Sequence, residues 1–168
     1  MKIIKKIVKV VILVILLTII IVIGKGYEMY QTALAETPVD KMVASIKEKK
    51  NYTYLDEIPE IYKKAVIAVE DNRFYAHGGI DPISIFRAIL HDIQALSPVE
   101  GGSTITQQLA KNTYFTQEKK ITRKIAESFM AIKLEEELEK DEILELYINT
   151  CYYGEGYYSL KEACQRIL

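Results

Sequence analysis

The chain has 168 residues, 22 of them Lys or Arg and 23 Asp or Glu, for a net charge of −1. That length accommodates one domain plus an anchor, and the balanced charge gives no global reason to expect a nucleic-acid partner. The two cysteines, Cys151 and Cys164, form no CxxC pair, which excludes zinc-site spacing and a disulfide framework; two free thiols are expected.

The charge is unevenly placed. Lys2, Lys5, Lys6 and Lys9 crowd the N-terminus with no acid among them, and Ile7 to Ile23 is apolar except at Lys9 and Thr18. As a helix, the stretch from Val10 to Gly26 spans roughly 25 Å at about 1.5 Å per residue, slightly short of the roughly 30 Å hydrocarbon core. A cleaved signal peptide is the competing reading. Its weak A-x-A-like site, Ala33-Leu34-Ala35, lies well beyond the apolar run. The expectation is therefore an uncleaved single-pass anchor in residues 1–26. The lysine asymmetry puts its N-terminus in the cytoplasm and everything after Lys25 outside.

Residues 27–56 have mixed polarity and read as a solvated connector. Within them, Asp40 to Lys50 has the pattern of a short basic helix, whose Lys41, Lys47, Lys49 and Lys50 suit anionic lipid headgroups. Tyr52 to Leu55 reads as a short extended piece, and one main domain is expected over 57–168.

Pro59, between Glu57 and Glu60, sits where a helix starts, and Ile61, Ala65 and Ala68 share one face of it. The run then reads E-D-N-R-F-Y-A-H-G-G from Glu70 to Gly79, where Gly78-Gly79 and Asp81-Pro82 stop the helix. Glu70 and Asp71 thus fall near a helix C-terminus, where the dipole disfavours negative charge. That environment suits a proton acceptor working near neutral pH; the bland alternative is an exposed acidic pair. Asp81 and Pro82 next read as the N-cap and first position of a helix whose apolar face is Ile83, Phe86, Ile89, Leu90 and Ile93.

After Leu96-Ser97-Pro98 comes G-G-S-T-I-T-Q-Q-L-A-K-N, Gly101 to Asn112. Ser103 and Thr104 suit the cap of a helix whose free N–H groups would favour a phosphate. Thr104, Gln107, Gln108 and Lys111 fall on one polar side, which fits phosphate or sugar oxygens as well as plain solvent. Lys119, Lys120, Arg123 and Lys124 crowd the start of a further helix, against its dipole. A polyanionic ligand would offset that. Arg123 and Glu127 are i, i+4 neighbours, so an intrahelical ion pair is the simple alternative. Leu134 to Lys140 reads as a solvated charged face. Ile143, Leu144, Tyr147 and Ile148 read as a packing stripe.

These segments resemble the signatures of the peptidoglycan glycosyltransferases, in the order that family has them. E-D-x-x-F-x-x-H-x-G is matched by Glu70, Asp71, Phe74, His77 and Gly79; G-G-S-T-I-T-Q-Q-L-x-K-N by Gly101 to Asn112; R-K-x-x-E by Arg123 to Glu127; K-x-x-I-L-x-x-Y-x-N by Lys140 to Asn149. A fifth signature is weaker. Gly154, Gly156, Tyr158 and Ala163 fit it, while Ser159, Cys164 and Ile167-Leu168 depart from it. The family's domain continues beyond that signature, so the resemblance implies a domain shortened at its C-terminus.

The resemblance implies a mainly α fold: a lysozyme-like glycosyltransferase domain behind the transmembrane helix, with a smaller membrane-hugging lobe within about Pro82 to Lys120. It implies polymerisation of lipid II into glycan strands, with inversion at the anomeric carbon and release of polyprenyl pyrophosphate. Glu70 would be the base and Glu127 the second carboxylate. Asp71, Phe74, His77, Arg87, Ser103, Thr104, Gln107 and Gln108 would contact substrate, with Arg87 equally readable as a surface cation. Lys111, Lys119, Arg123 and Lys124 would clamp the pyrophosphate. No cofactor is required; Mg²⁺ or Mn²⁺ is compatible with the chemistry, but no ligand set is legible. The implied partners are lipid II, polyprenyl-linked glycan, the bacterial membrane and other cell-wall synthesis proteins. The alternatives are a glycan-cleaving enzyme of the same fold and a non-catalytic glycan-binding or lipid II-binding paralogue.

Overall fold

The computed structural model describes residues 2–95, 101–116 and 120–167. Among the described residues, eight α-helices run in order: α1 (Lys2–Glu36), α2 (Val39–Lys47), α3 (Glu60–Glu70), α4 (Pro82–Ala95), α5 (Ile105–Tyr114), α6 (Ile121–Glu137), α7 (Lys140–Ile148) and α8 (Leu160–Ile167). Short 3₁₀ turns at Leu55–Glu57 and Phe74–Ala76 flank α3, and no strand occurs among the described residues. The mainly α reading holds.

At 35 residues, α1 is about 52 Å long and apolar enough to cross a membrane with length to spare. Its apolar residues up to Ile23 are largely exposed, as a lipid-facing surface requires. Beyond them the same helix continues unbroken and packs along α6. Tyr30 stacks on Phe129 at 5.9 Å between ring centres, while Tyr27 meets Phe129 edge-on at 5.2 Å.

Residues 27–56 are not the solvated connector expected of them. Besides the end of α1 they contain α2, which buries Val39, Met42 and Ile46 at i, i+3 and i+7. The following segment docks on α7. Asn149 mimics a paired strand, accepting from the Thr53 amide at 2.9 Å and donating to the Thr53 carbonyl at 2.8 Å. Glu145 takes the Leu55 amide and the Tyr52 hydroxyl.

The centre of the domain is α5, packed against α6 and α7. Ile105, Leu109 and Ala110 of α5 meet Met130 and Leu134 of α6 and Ile143, Leu144 and Ile148 of α7, all essentially without solvent contact. The smaller lobe expected between Pro82 and Lys120 therefore excludes α5, whose apolar face belongs to the core. Leu134 is likewise fully buried, and Glu135 accepts from Thr106 and Lys140, so the start of the presumed charged face is packed. Besides α1, apolar side chains stay exposed on α3 (Ile61 and Val69) and on α4 (Ile83, Phe86, Leu90 and Ile93). The protein-packed side of α3 carries Tyr62, Val66 and Ile67 instead of the expected Ile61, Ala65 and Ala68.

Candidate active site

Glu70 is the last residue of α3, and Asp71 caps it. The helix end is fixed from below. Asp71 is buried, accepting from the Ile105 amide at 3.1 Å with one oxygen and facing His77 Nε2 at 2.8 Å with the other. Thr104 completes the joint. It caps α5 through a reciprocal pair with Gln107, each accepting from the other's backbone amide at 3.1 Å, and donates its hydroxyl to the Gly79 carbonyl at 2.8 Å. Gly79 in turn lies against α6 so closely that a Cβ there would fall 2.5 Å from the Ala131 carbonyl carbon. Only glycine fits, so the Gly79 of the motif is a packing requirement.

This network sorts the expected site residues. Phe74 is a fully buried core residue, with the Lys140 ammonium 4.4 Å from its ring centre. His77 has an acceptor at each ring nitrogen, Asp71 on one side and the Gly78 carbonyl on the other, and its side chain is 4% exposed. Thr104 and Gln107 are spent on the cap, and Gln107 also donates to Ser128 at 2.9 Å. At the start of α5, Asp71 and Thr104 already hold the amides of Ile105 and Gln107, two of the N–H groups expected to face a phosphate.

The remaining residues converge. Glu70, Ser103, Gln107, Gln108, Lys111, Lys124 and Glu127 line one cavity of about 290 Å³. Glu70 also borders a polar cavity of about 320 Å³ with Asp71, Ser84, Arg87 and Gly101 to Thr104. A third, mostly apolar cavity of about 320 Å³ joins Glu70 to Tyr62, Val66, Tyr147, Cys151 and Tyr153. The exposed Glu70 carboxylate thus stands where three clefts meet. Gln108 donates to it at 2.8 Å and accepts from the Tyr147 hydroxyl at 3.1 Å, so α5 and α7 both aim it.

Across the first cavity Glu127 is 1% exposed and paired with two cations of its own helix, Arg123 and, at 3.2 Å, Lys124. The i, i+4 pair is real. Lys124 also donates to Ser103 at 2.6 Å, tying α6 to the Gly101–Thr104 loop. Arg87 donates to Ser84 at 3.0 Å on the second cavity. Lys119 lies outside the described residues.

Asp71, His77 and Asp81 each bring one ligand-type atom within 4.8 Å of the others. Their donors do not suit a hard divalent cation. Asp81 already accepts from Arg73, Ser84 and the Ile83 amide, and the Arg73 guanidinium repels a metal ion.

Three residues of the site carry no flag in the sequence reading beyond packing: Tyr62, Tyr147 and Cys151. The i, i+4 spacing of Tyr147 and Cys151 was the available signal. Burial pushes the Cys151 thiol up to about 11, against a hydrogen bond with Tyr147, so it is a neutral wall and not a nucleophile. Cys151 and Cys164 are both free, as expected.

Among known proteins, the Transglycosylase family profile matches residues 36–167. Penicillin-binding protein 1F of Bacillus subtilis is 47% identical over 124 residues, covering 74% of this chain and 17% of that protein. Penicillin-binding protein 1A of Aquifex aeolicus is 47% identical over 118 residues, 70% of this chain and 16% of its own length. Penicillin-binding protein 1A of Neisseria flavescens is 44% identical over 119 residues, 71% of this chain and 15% of its own. The chain therefore spans under a fifth of each of these relatives.

Proposed function

Because the chain belongs to the transglycosylase family, we propose that it polymerises lipid II, joining lipid-linked disaccharides into glycan at the membrane surface. The 4-hydroxyl of an incoming lipid II attacks the anomeric carbon of a strand held by its polyprenyl pyrophosphate. A new C1–O4 bond forms as the C1–O bond to pyrophosphate breaks, inverting C1. The hydroxyl proton passes to Glu70, and the pyrophosphate leaves with the bonding pair.

Such a displacement needs a base on one side of the reacting carbon and positive charge on the other. One observation carries the reading: Glu70 shares a single cavity with Lys111, Lys124 and Glu127. Gln108 and Tyr147 hold the Glu70 carboxylate in position. Glu127 acts through Arg123 and Lys124, orienting them for the leaving group. No step is assigned to Mg²⁺ or Mn²⁺.

Membrane attachment suits substrates that are themselves lipid-tethered. The apolar α1 and the open apolar row on α4 support it, and the N-terminal lysines favour a domain outside the cytoplasm. Protease added to wall-stripped intact cells should then digest the domain; full protection would reverse the topology.

The direct test is conversion of lipid II by the purified full chain. Polymer with pyrophosphate release supports the reading. Shortening of preformed glycan would mark a hydrolase, and tight lipid II binding without turnover a non-catalytic binder.

A further inference from the structure

Two glycines, Gly24 and Gly26, follow the apolar run of α1, and their surroundings differ sharply. A Cβ on Gly24 would meet nothing within 4 Å. On Gly26 it would fall 2.5 Å from Ile125 Cγ2, 2.7 Å from Ile125 Cβ and 3.0 Å from the Thr122 carbonyl oxygen. Gly26 is buried, and its backbone lies against α6. What it touches is the first turn of α6, the turn that carries Arg123 and Lys124 and leads one turn later to Glu127.

The depth of this crossing follows from the sequence. Ile23 ends the apolar run, and Gly26 lies three residues further on, about 4.5 Å along the helix axis. The crossing therefore falls at the outer edge of the hydrocarbon, among the lipid headgroups. Ile121, the first residue of α6, is 75% exposed there, as expected of a side chain that meets lipid. Because α1 is one unbroken helix from the bilayer to Glu36, this contact is a rigid mount and not a tether.

We propose that Gly26 is a positioning residue: its backbone contact with Thr122 and Ile125 fixes Arg123 and Lys124 at the depth of the headgroup phosphates. This rests on the proposed function in taking the ligand to be a lipid-linked pyrophosphate. A pyrophosphate on a polyprenyl chain is confined to that depth, so a clamp held there meets it without lifting lipid from the bilayer. A larger residue at 26 shifts the whole domain, α6 and its cavity together, in height and tilt relative to α1.

The test compares Gly26→Val with Gly24→Val, the same change two positions away in open space, in full chain reconstituted into vesicles. Each is assayed with long-chain lipid II in the bilayer and with a water-soluble short-chain analogue. Gly26→Val should lower the rate on the long-chain substrate by about 10²-fold, the scale of an ångström-level misplacement. The short-chain rate should stay within about twofold, and Gly24→Val should leave both rates unchanged. Equal loss on both substrates, or none on either, overturns the proposal. A second readout needs no activity. The chain has no tryptophan, so Ile121→Trp is a single reporter, and phospholipids brominated near the headgroup should quench it more strongly than deep ones. Absence of that quenching overturns the depth assignment. Quenching as expected in a chain inactive on both substrates would instead sink the proposed function alone.

Discussion

Gly79 shows how much of a catalytic motif can be packing. Its missing side chain lets the loop lie on the α6 backbone at Ala131 and Ile132, while its carbonyl takes the Thr104 hydroxyl that caps α5. Backbone atoms cannot yield as a side-chain tip does. Gly79→Ala should therefore cost about 3 kcal/mol, the upper end for overpacking, seen as a lower denaturation midpoint. A change below about 0.5 kcal/mol would mean the loop moves freely. Asp81 supports the same loop and gives a pH signature. Burial pushes its carboxyl up, but hydrogen bonds from Ser84, Arg73 and the Ser84 and Ile83 amides outweigh this and hold it at about 2. The folded value lies below the ordinary 3.8. The group thus contributes stability above about pH 4 that is lost as pH falls through about 2, on the order of 2 kcal/mol. Melting followed from pH 6 to pH 2 should show this loss in the wild type and lack it in Asp81→Asn.

At the scale of elements, α6 couples stability to the site. Glu127 is buried between Arg123, 12% exposed, and Lys124, 47% exposed. Cations at a helix start oppose the dipole by only a few tenths of a kcal/mol. Removing Arg123 strips a buried carboxylate of its better-shielded partner, which costs far more. Arg123→Ala should destabilise by about 3 kcal/mol, whereas Lys124→Ala should cost about 1 kcal/mol or less. Lys124→Ala is the cleaner probe of ligand binding. It should weaken binding of a lipid-linked pyrophosphate in detergent by about 1–3 kcal/mol. Unchanged affinity in both Lys124→Ala and Arg123→Ala would leave Lys111 as the phosphate candidate. The other helices show where sequence reading stops. The caps of α4 and α5 were legible in Asp81-Pro82 and Thr104 because a cap acts within one turn; the reciprocal part of Gln107 was not read. The packed side of α3 was not, because both of its sides are apolar and periodicity does not say which meets protein. Burial of α2 was written in Val39, Met42 and Ile46, but its lysines drew the reading toward solvent.

Across the whole molecule, a helix long and apolar enough to cross a membrane runs without a break into a helical domain whose central helix, α5, touches both walls of the candidate site. The motif residues Glu70, Gln108, Lys111, Lys124 and Glu127 were legible as a set and share one cavity. The wall made by Tyr62, Tyr147 and Cys151 was hidden, because it joins segments some 85 residues apart that only tertiary packing brings together. The proposed role of the Glu70 carboxylate as proton acceptor is tested most directly by Glu70→Gln. Glutamine keeps the shape and an oxygen for the Gln108 amide, so folding and lipid II binding should stay at wild-type levels. With full chain and lipid II, polymer formation should fall by about 10²–10⁴-fold, the usual contribution of a general base. Polymer made by this variant at near the wild-type rate would contradict the account.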